Sequence, residues 1–82
     1  MYSVHWTRQG TNDLAALCVA HPTRWADIDA AEQAISDLLQ RDPLHGSQAV
    51  SEGLRKIAFR PLVVFFSISG NRVEVDSVAW IG

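Results

Sequence analysis

Three of the chain's seven basic side chains, Arg55, Lys56 and Arg60, fall within six positions, and a fourth, Arg72, follows downstream. Cations crowded in this way can hold a phosphate backbone, with Arg55 or Arg60 forking N–H bonds onto its oxygens. The same charges can stabilise a scissile phosphate while RNA is cut. The plainer reading is that they solvate an edge strand and deter edge-to-edge pairing, a common use of lysine and arginine.

Other chemistry is sparse. His5, His21 and His45 lie on separate elements, and none has a second ligand three or four residues on, so metal-site spacing is absent. Cys18 falls on an apolar stripe and reads as a core thiol. A single cysteine excludes a disulfide framework and fits a reducing compartment. The glycines form no phosphate-cradling motif and no serine sits in a nucleophile elbow, so no cofactor is implied. Asp27 and Asp29, two apart on one helix, solvate its flank rather than face each other.

The elements that must position these residues fit one domain spanning residues 1–82. With 48% apolar and 20% charged residues the composition is that of an ordinary globular protein, not a disordered one. A net charge of -2 argues against a strongly basic nucleic-acid binder, so any basic patch is local. The longest apolar run, Leu62 to Phe66, is too short to cross a bilayer, and no signal segment is visible. The chain reads as soluble and cytoplasmic.

Tyr2, Val4 and Trp6 alternate with polar residues and predict a strand, closed by the turn-like Gln9-Gly10-Thr11-Asn12. Thr11 or Asn12 then caps a first helix with Asp13 in its first turn, apolar at Leu14, Leu17, Cys18 and His21 and stopped by Pro22. Thr23 caps a second helix whose stripe is Trp25, Ile28, Ala31, Ile35, Leu38 and Leu39. An Asp37–Arg41 pair supports it, and Asp42-Pro43 ends it. The short link between them predicts a helical hairpin.

Strands follow at Leu54–Phe59 and from Leu62 to Ile68, with Gly70-Asn71 as a two-residue primed turn into a last strand. Counting back from that turn pairs Ile68 with Val73, Phe66 with Val75, Val64 with Ser77 and Leu62 with Ala79 under the helices. The opposite face then carries Ser67 with Glu74, Phe65 with Asp76, and Val63 with Val78, with Pro61 beside Trp80. A chain this small cannot cover both faces. Val63, Phe65, Val78 and Trp80 are therefore expected to form an open apolar strip that calls for a partner, unless a bulge shifts the register.

The order of parts resembles the RelE/ParE superfamily, the toxins of bacterial type II toxin–antitoxin modules. The likeness is carried by Val4-His5-Trp6-Thr7, by Asp13-Leu14-Ala15-Ala16-Leu17, and by Ala31 to Leu39 leading into Asp42-Pro43. It continues through Gly53-Leu54-Arg55, Arg60 to Ile68 and Arg72 to Val78, and so covers nearly the whole chain. It implies an α+β fold of order β-α-α-β-β-β, with a helical hairpin packed on one face of a small antiparallel sheet. It also implies a cognate antitoxin that wraps the chain.

The implied activity is ribosome-dependent mRNA cleavage, as in RelE-like members, or gyrase poisoning, as in ParE-like ones. For cleavage the resemblance makes Arg55 and Arg60 the catalytic candidates and Lys56 and Arg72 the RNA-binding ones, with the ribosome and mRNA as partners. Acid–base help would come from Arg55, Lys56, His45 or the ribosome. Cleaving members carry a tyrosine or another acid–base group after the last strand. Here Trp80-Ile81-Gly82 stands there, and the only tyrosine is Tyr2. The second reading is a catalytically idle module of the same fold, whose open strip binds an antitoxin-like helix or a second copy as a homodimer.

Overall fold

The alternation of Val4 and Trp6 with Ser3 and His5 forms strand β1 (Ser3–Trp6), its apolar pair packed on the core. The computed structural model describes all residues from Met1 to Gly82. Helix α1 (Arg8–Ala20) begins a turn earlier than the turn-like residues suggest, because the cap is Thr7 rather than Thr11 or Asn12. The Thr7 hydroxyl oxygen accepts from the Gly10 amide at 3.0 Å and donates to the Val75 carbonyl at 2.9 Å. One side chain thus closes the helix and ties it to the last strand.

After a 3-10 turn at Pro22–Arg24, helix α2 (Trp25–Arg41) follows. Thr23 lies inside that turn and caps nothing; Arg24 instead pairs with Asp27 at 2.7 Å. The expected Asp37–Arg41 ion pair is replaced by a bond from Arg41 Nε to the Asp37 carbonyl at 3.3 Å.

The sheet has five strands. β2 (Gln48–Ser51), β3 (Leu54–Phe59), β4 (Leu62–Ser69) and β5 (Arg72–Trp80) form an antiparallel meander, and β1 adds parallel to β5. Spatial order is β1-β5-β4-β3-β2. Pairing through Arg55 and Lys56 makes β2 a strand although all four of its residues are exposed, so no apolar alternation announces it. Gly70 has φ of 61° in the β4–β5 turn and Asn71 does not follow it to positive φ, so only the first turn position needs glycine.

Both helices cover one face of the sheet, as expected of the α+β class. Ile28, Ala31, Ile35 and Leu39 of α2 pack with Ile57, Leu62, Val64, Phe66, Val73, Val75 and Val78. Truncating such a side chain to alanine typically costs about 2–5 kcal/mol. Gly10 is buried where α1 crosses β5: a Cβ there would meet the Val75 carbonyl oxygen at 2.9 Å. No helix is long and apolar enough to cross a membrane.

The register from the β4–β5 turn holds as far as Phe66 with Val75 and then shifts at a bulge. Beyond it Phe65 pairs with Ser77, Val64 with Val78, Val63 with Ala79 and Leu62 with Trp80. The extra residue reverses which face the end of β5 presents. Val78 and Trp80 therefore lie under the helices, not on the open strip, and Val78 is a core residue.

Candidate functional site

On the side of the sheet away from the helices lie Val63, buried rather than open at 8% exposure, and the half-buried Phe65. They share that face with Lys56 and Ala58, which β3 places opposite Phe65 and Val63. Together with Gln48 and Ile81 these residues line a shallow cleft of about 490 Å³. Its apolar floor carries one ammonium group, Lys56, and one amide, Gln48. No histidine, carboxylate or hydroxyl lines it. Such a surface can grip a partner's apolar side chains and one anionic or carbonyl group.

Successive strand residues point to opposite faces, so Arg55 and Lys56 are separated by the sheet itself. Arg55 lies toward the helices, opposite Phe66. Its Nε donates to Ser47 Oγ at 2.8 Å, and Nη2 donates to the carbonyls of Ser47 and Leu44 at 3.2 and 3.4 Å. Ser47 in turn donates to the Pro43 carbonyl at 2.6 Å. The guanidinium thus holds the segment between α2 and β2 against the sheet.

Arg60 is exposed in the β3–β4 turn, roughly 16 Å along the strand from Arg55 at 3.3 Å per residue. Arg72 stands at the opposite end of the sheet, beside the β4–β5 turn, with Nε 3.6 Å from Glu74. The four cations of the basic cluster therefore do not converge on one point. Lys56 alone reaches the open cleft.

The histidines are spoken for elsewhere. His5 Nε2 lies 2.8 Å from Ser3 Oγ, and His45 Nδ1 lies 3.1 Å from Asp42 Oδ2. His21 stacks on Trp80 with ring centroids 3.7 Å apart, and Arg24 lies over the same Trp80 ring at 5.2 Å. No group of three histidine, cysteine or acidic side chains gathers as for a metal ion. Sequence patterning overlooks Gly46, Gln48, Ala58 and Ile81 of this cleft. The alternation of Lys56 with Ala58 along β3 is the only local signal that could have found any of them.

No family model matches the sequence, and no curated protein sequence matches it. Solved structures do match in fold. A chain of the chromosomal ParDE TA system from P. aeruginosa superposes with a TM-score of 0.82 at 16% identity, covering 100% of this chain and 98% of that one. A chain of the E. coli DinJ-YafQ complex gives 0.64 at 12% identity, covering 98% and 93%. HP0894 from Helicobacter pylori gives 0.64 at 13% identity, covering 98% and 94%. At these identities the likeness is one of architecture alone, and that architecture is the one the RelE/ParE resemblance implies.

Proposed function

We propose that this chain is the toxin of a type II toxin–antitoxin module, held inactive by a small cognate antitoxin, and that it acts by gripping a macromolecular target. The observation that carries the first part is the end-to-end fold likeness to a chain of the ParDE system, at a TM-score of 0.82. That superposition covers 100% of this chain and 98% of the matched one. The DinJ-YafQ complex, a second match, supports the expectation of an antitoxin partner.

The scatter of cations favours binding over mRNA cleavage. Phosphoryl chemistry needs donors converging on one phosphate and a group to move a proton. Arg55 and Arg60 lie far apart along the sheet, and the cleft that holds Lys56 has no histidine or carboxylate. A gyrase-directed mode, the one implied for ParE-like members, needs only a surface. The closer superposition on the ParDE chain than on the DinJ-YafQ chain also favours it.

Tightly induced expression in bacteria, with labelled thymidine and labelled amino acid followed in parallel, tests this reading. Growth arrest with DNA synthesis falling first is the expected result. Protein synthesis falling first, with cut mRNA, would return cleavage and the ribosome to first place. Normal growth at confirmed soluble expression would remove the toxin reading altogether.

A further inference from the structure

Past the C-terminal end of α2 the helical layer stops short of the sheet's far corner and leaves a second cleft, of about 440 Å³. It lies on the helix-side face near the β4–β5 turn. Tyr2, Leu44 and Ile68 supply its apolar walls, Leu54 borders it at the start of β3, and Arg55 is its only charge; no acidic residue lines it.

Arg55 is half-buried and forms no ion pair, its three hydrogen bonds all going to neutral oxygens of Leu44 and Ser47. Those bonds occupy Nε and Nη2, while Nη1 donates to nothing within the chain. A guanidinium fixed in this way is pre-organised, because its rotamer freedom is already lost to the fold and the remaining donors keep a set direction. A partly desolvated cation without a counter-ion is electrostatically incomplete, and a carboxylate completes it with a charge-assisted bond.

From this geometry we infer that the Arg55 cleft receives an acidic segment of a partner protein. A leucine-like side chain of that segment enters between Tyr2, Leu44 and Ile68, and a neighbouring carboxylate meets Arg55 Nη1. The inference deepens the proposed partner binding and rests on it only for the partner's identity. Its test reads the isolated chain, so failure of this site and absence of toxicity register separately.

The test is NMR titration of the uniformly 15N-labelled chain with the peptide acetyl-Ala-Leu-Glu-Leu-Ala-amide, beside the same peptide carrying Gln in place of Glu. The expected result is saturable movement of the Arg55 side-chain Nε–Hε peak and of the Tyr2, Leu54 and Ile68 amides. Binding of the Glu peptide should be about tenfold tighter than that of the Gln peptide, the difference one charge-assisted bond makes. Arg55→Gln keeps a donor toward Ser47, and it should erase the difference between the peptides. Equal binding of the two peptides by the native chain, or movement confined to other residues, would overturn the inference whatever the variant does. So would a tri-uridine oligonucleotide that moves these peaks when the Glu peptide does not, since that would make the cleft a phosphate site.

Discussion

Trp80 and His21 lie face to face, their ring planes 7° from parallel and their centroids 3.7 Å apart. The stack joins the end of β5 to the corner between the two helices, where Arg24 also covers the Trp80 ring. Beside it, Trp25 Nε1 donates to the Cys18 carbonyl at 2.7 Å and closes the helical hairpin. Trp80 is thereby a brace between sheet and helices, and a probe of partner binding placed there would read folding instead.

A double-mutant cycle of Trp80→Ala and His21→Ala should show this coupling. The pair is expected to contribute about 0.5–1.5 kcal/mol beyond the loss of area. Urea unfolding of the four chains measures it. Simple additivity would mean the stack adds nothing.

Arg55 and Lys56 should behave oppositely despite being neighbours. Arg55→Ala frees the segment that Ser47 and Leu44 anchor, and should cost about 1–3 kcal/mol, the range for bonds to a charged donor. Lys56→Ala removes an exposed charge and should stay within about 0.5 kcal/mol, yet weaken growth arrest. Denaturant midpoints and an induced-expression assay on both variants separate the two roles. Stability lost at Lys56 and kept at Arg55 would reverse the assignment.

Gly10→Ala tests the close crossing of α1 and β5. Alanine is the better helix former by about 1 kcal/mol, so an open site would gain stability. Here the added methyl meets the Val75 carbonyl oxygen at 2.9 Å, and overpacking of this kind costs about 1–3 kcal/mol. A lower midpoint in urea is expected; a higher one would mean the helix shifts freely away from the strand.

Asp13 was expected to serve the helix dipole, but its Oδ2 accepts the Val78 amide at 3.1 Å. β1 stops at Trp6, and beyond it the outer edge of β5 has no neighbouring strand. Thr7 at the N-cap of α1 and Asp13 in its second turn take that edge over. Asp13→Ala should cost about 1–3 kcal/mol by leaving a part-buried amide unpaired, and Asp13→Asn should recover much of it. Hydrogen exchange at Val78 should speed up in the alanine variant; unchanged exchange would contradict the edge role.

Phe65→Asp and Val78→Asp distinguish the two faces. Val78 is 6% exposed in the core, and an unpaired charge there should unfold the chain. Phe65 is half-buried on the open side opposite Lys56, so Phe65→Asp should stay folded while losing growth arrest. Circular dichroism with the expression assay checks both, and a folded Val78→Asp chain would restore the unshifted register.

Periodicity along the chain was enough to read the two helices, the strands around Val4, Ile57, Val64 and Val75, and the turn at Gly70. Each is a local property: apolar spacing of two or near 3.6 decides how a segment can bury one side, whatever it packs against. The register of β4 on β5 was legible from that turn as far as Phe66 with Val75. It failed beyond, and with it the places of Val78 and Trp80, because the bulge answers to a residue far away in sequence. Thr7 donates its amide to the Val75 carbonyl at 3.0 Å, and its hydroxyl reaches the Val75 and Asp76 carbonyls at 2.9 and 3.3 Å. β2 was hidden for a related reason, since its strand character comes from pairing with Arg55 and Lys56 and not from its own exposed side chains. The basic residues were visible as a cluster in sequence, but only the pleat of β3 and the length of the sheet decided that Arg55 faces the helices, Lys56 the open cleft, and Arg60 and Arg72 opposite ends. Sequence alone thus determined which elements form and roughly in what order. Tertiary structure decided which side chains share a surface, because a single inserted residue or a single strand step reverses a side chain's direction without altering local propensity.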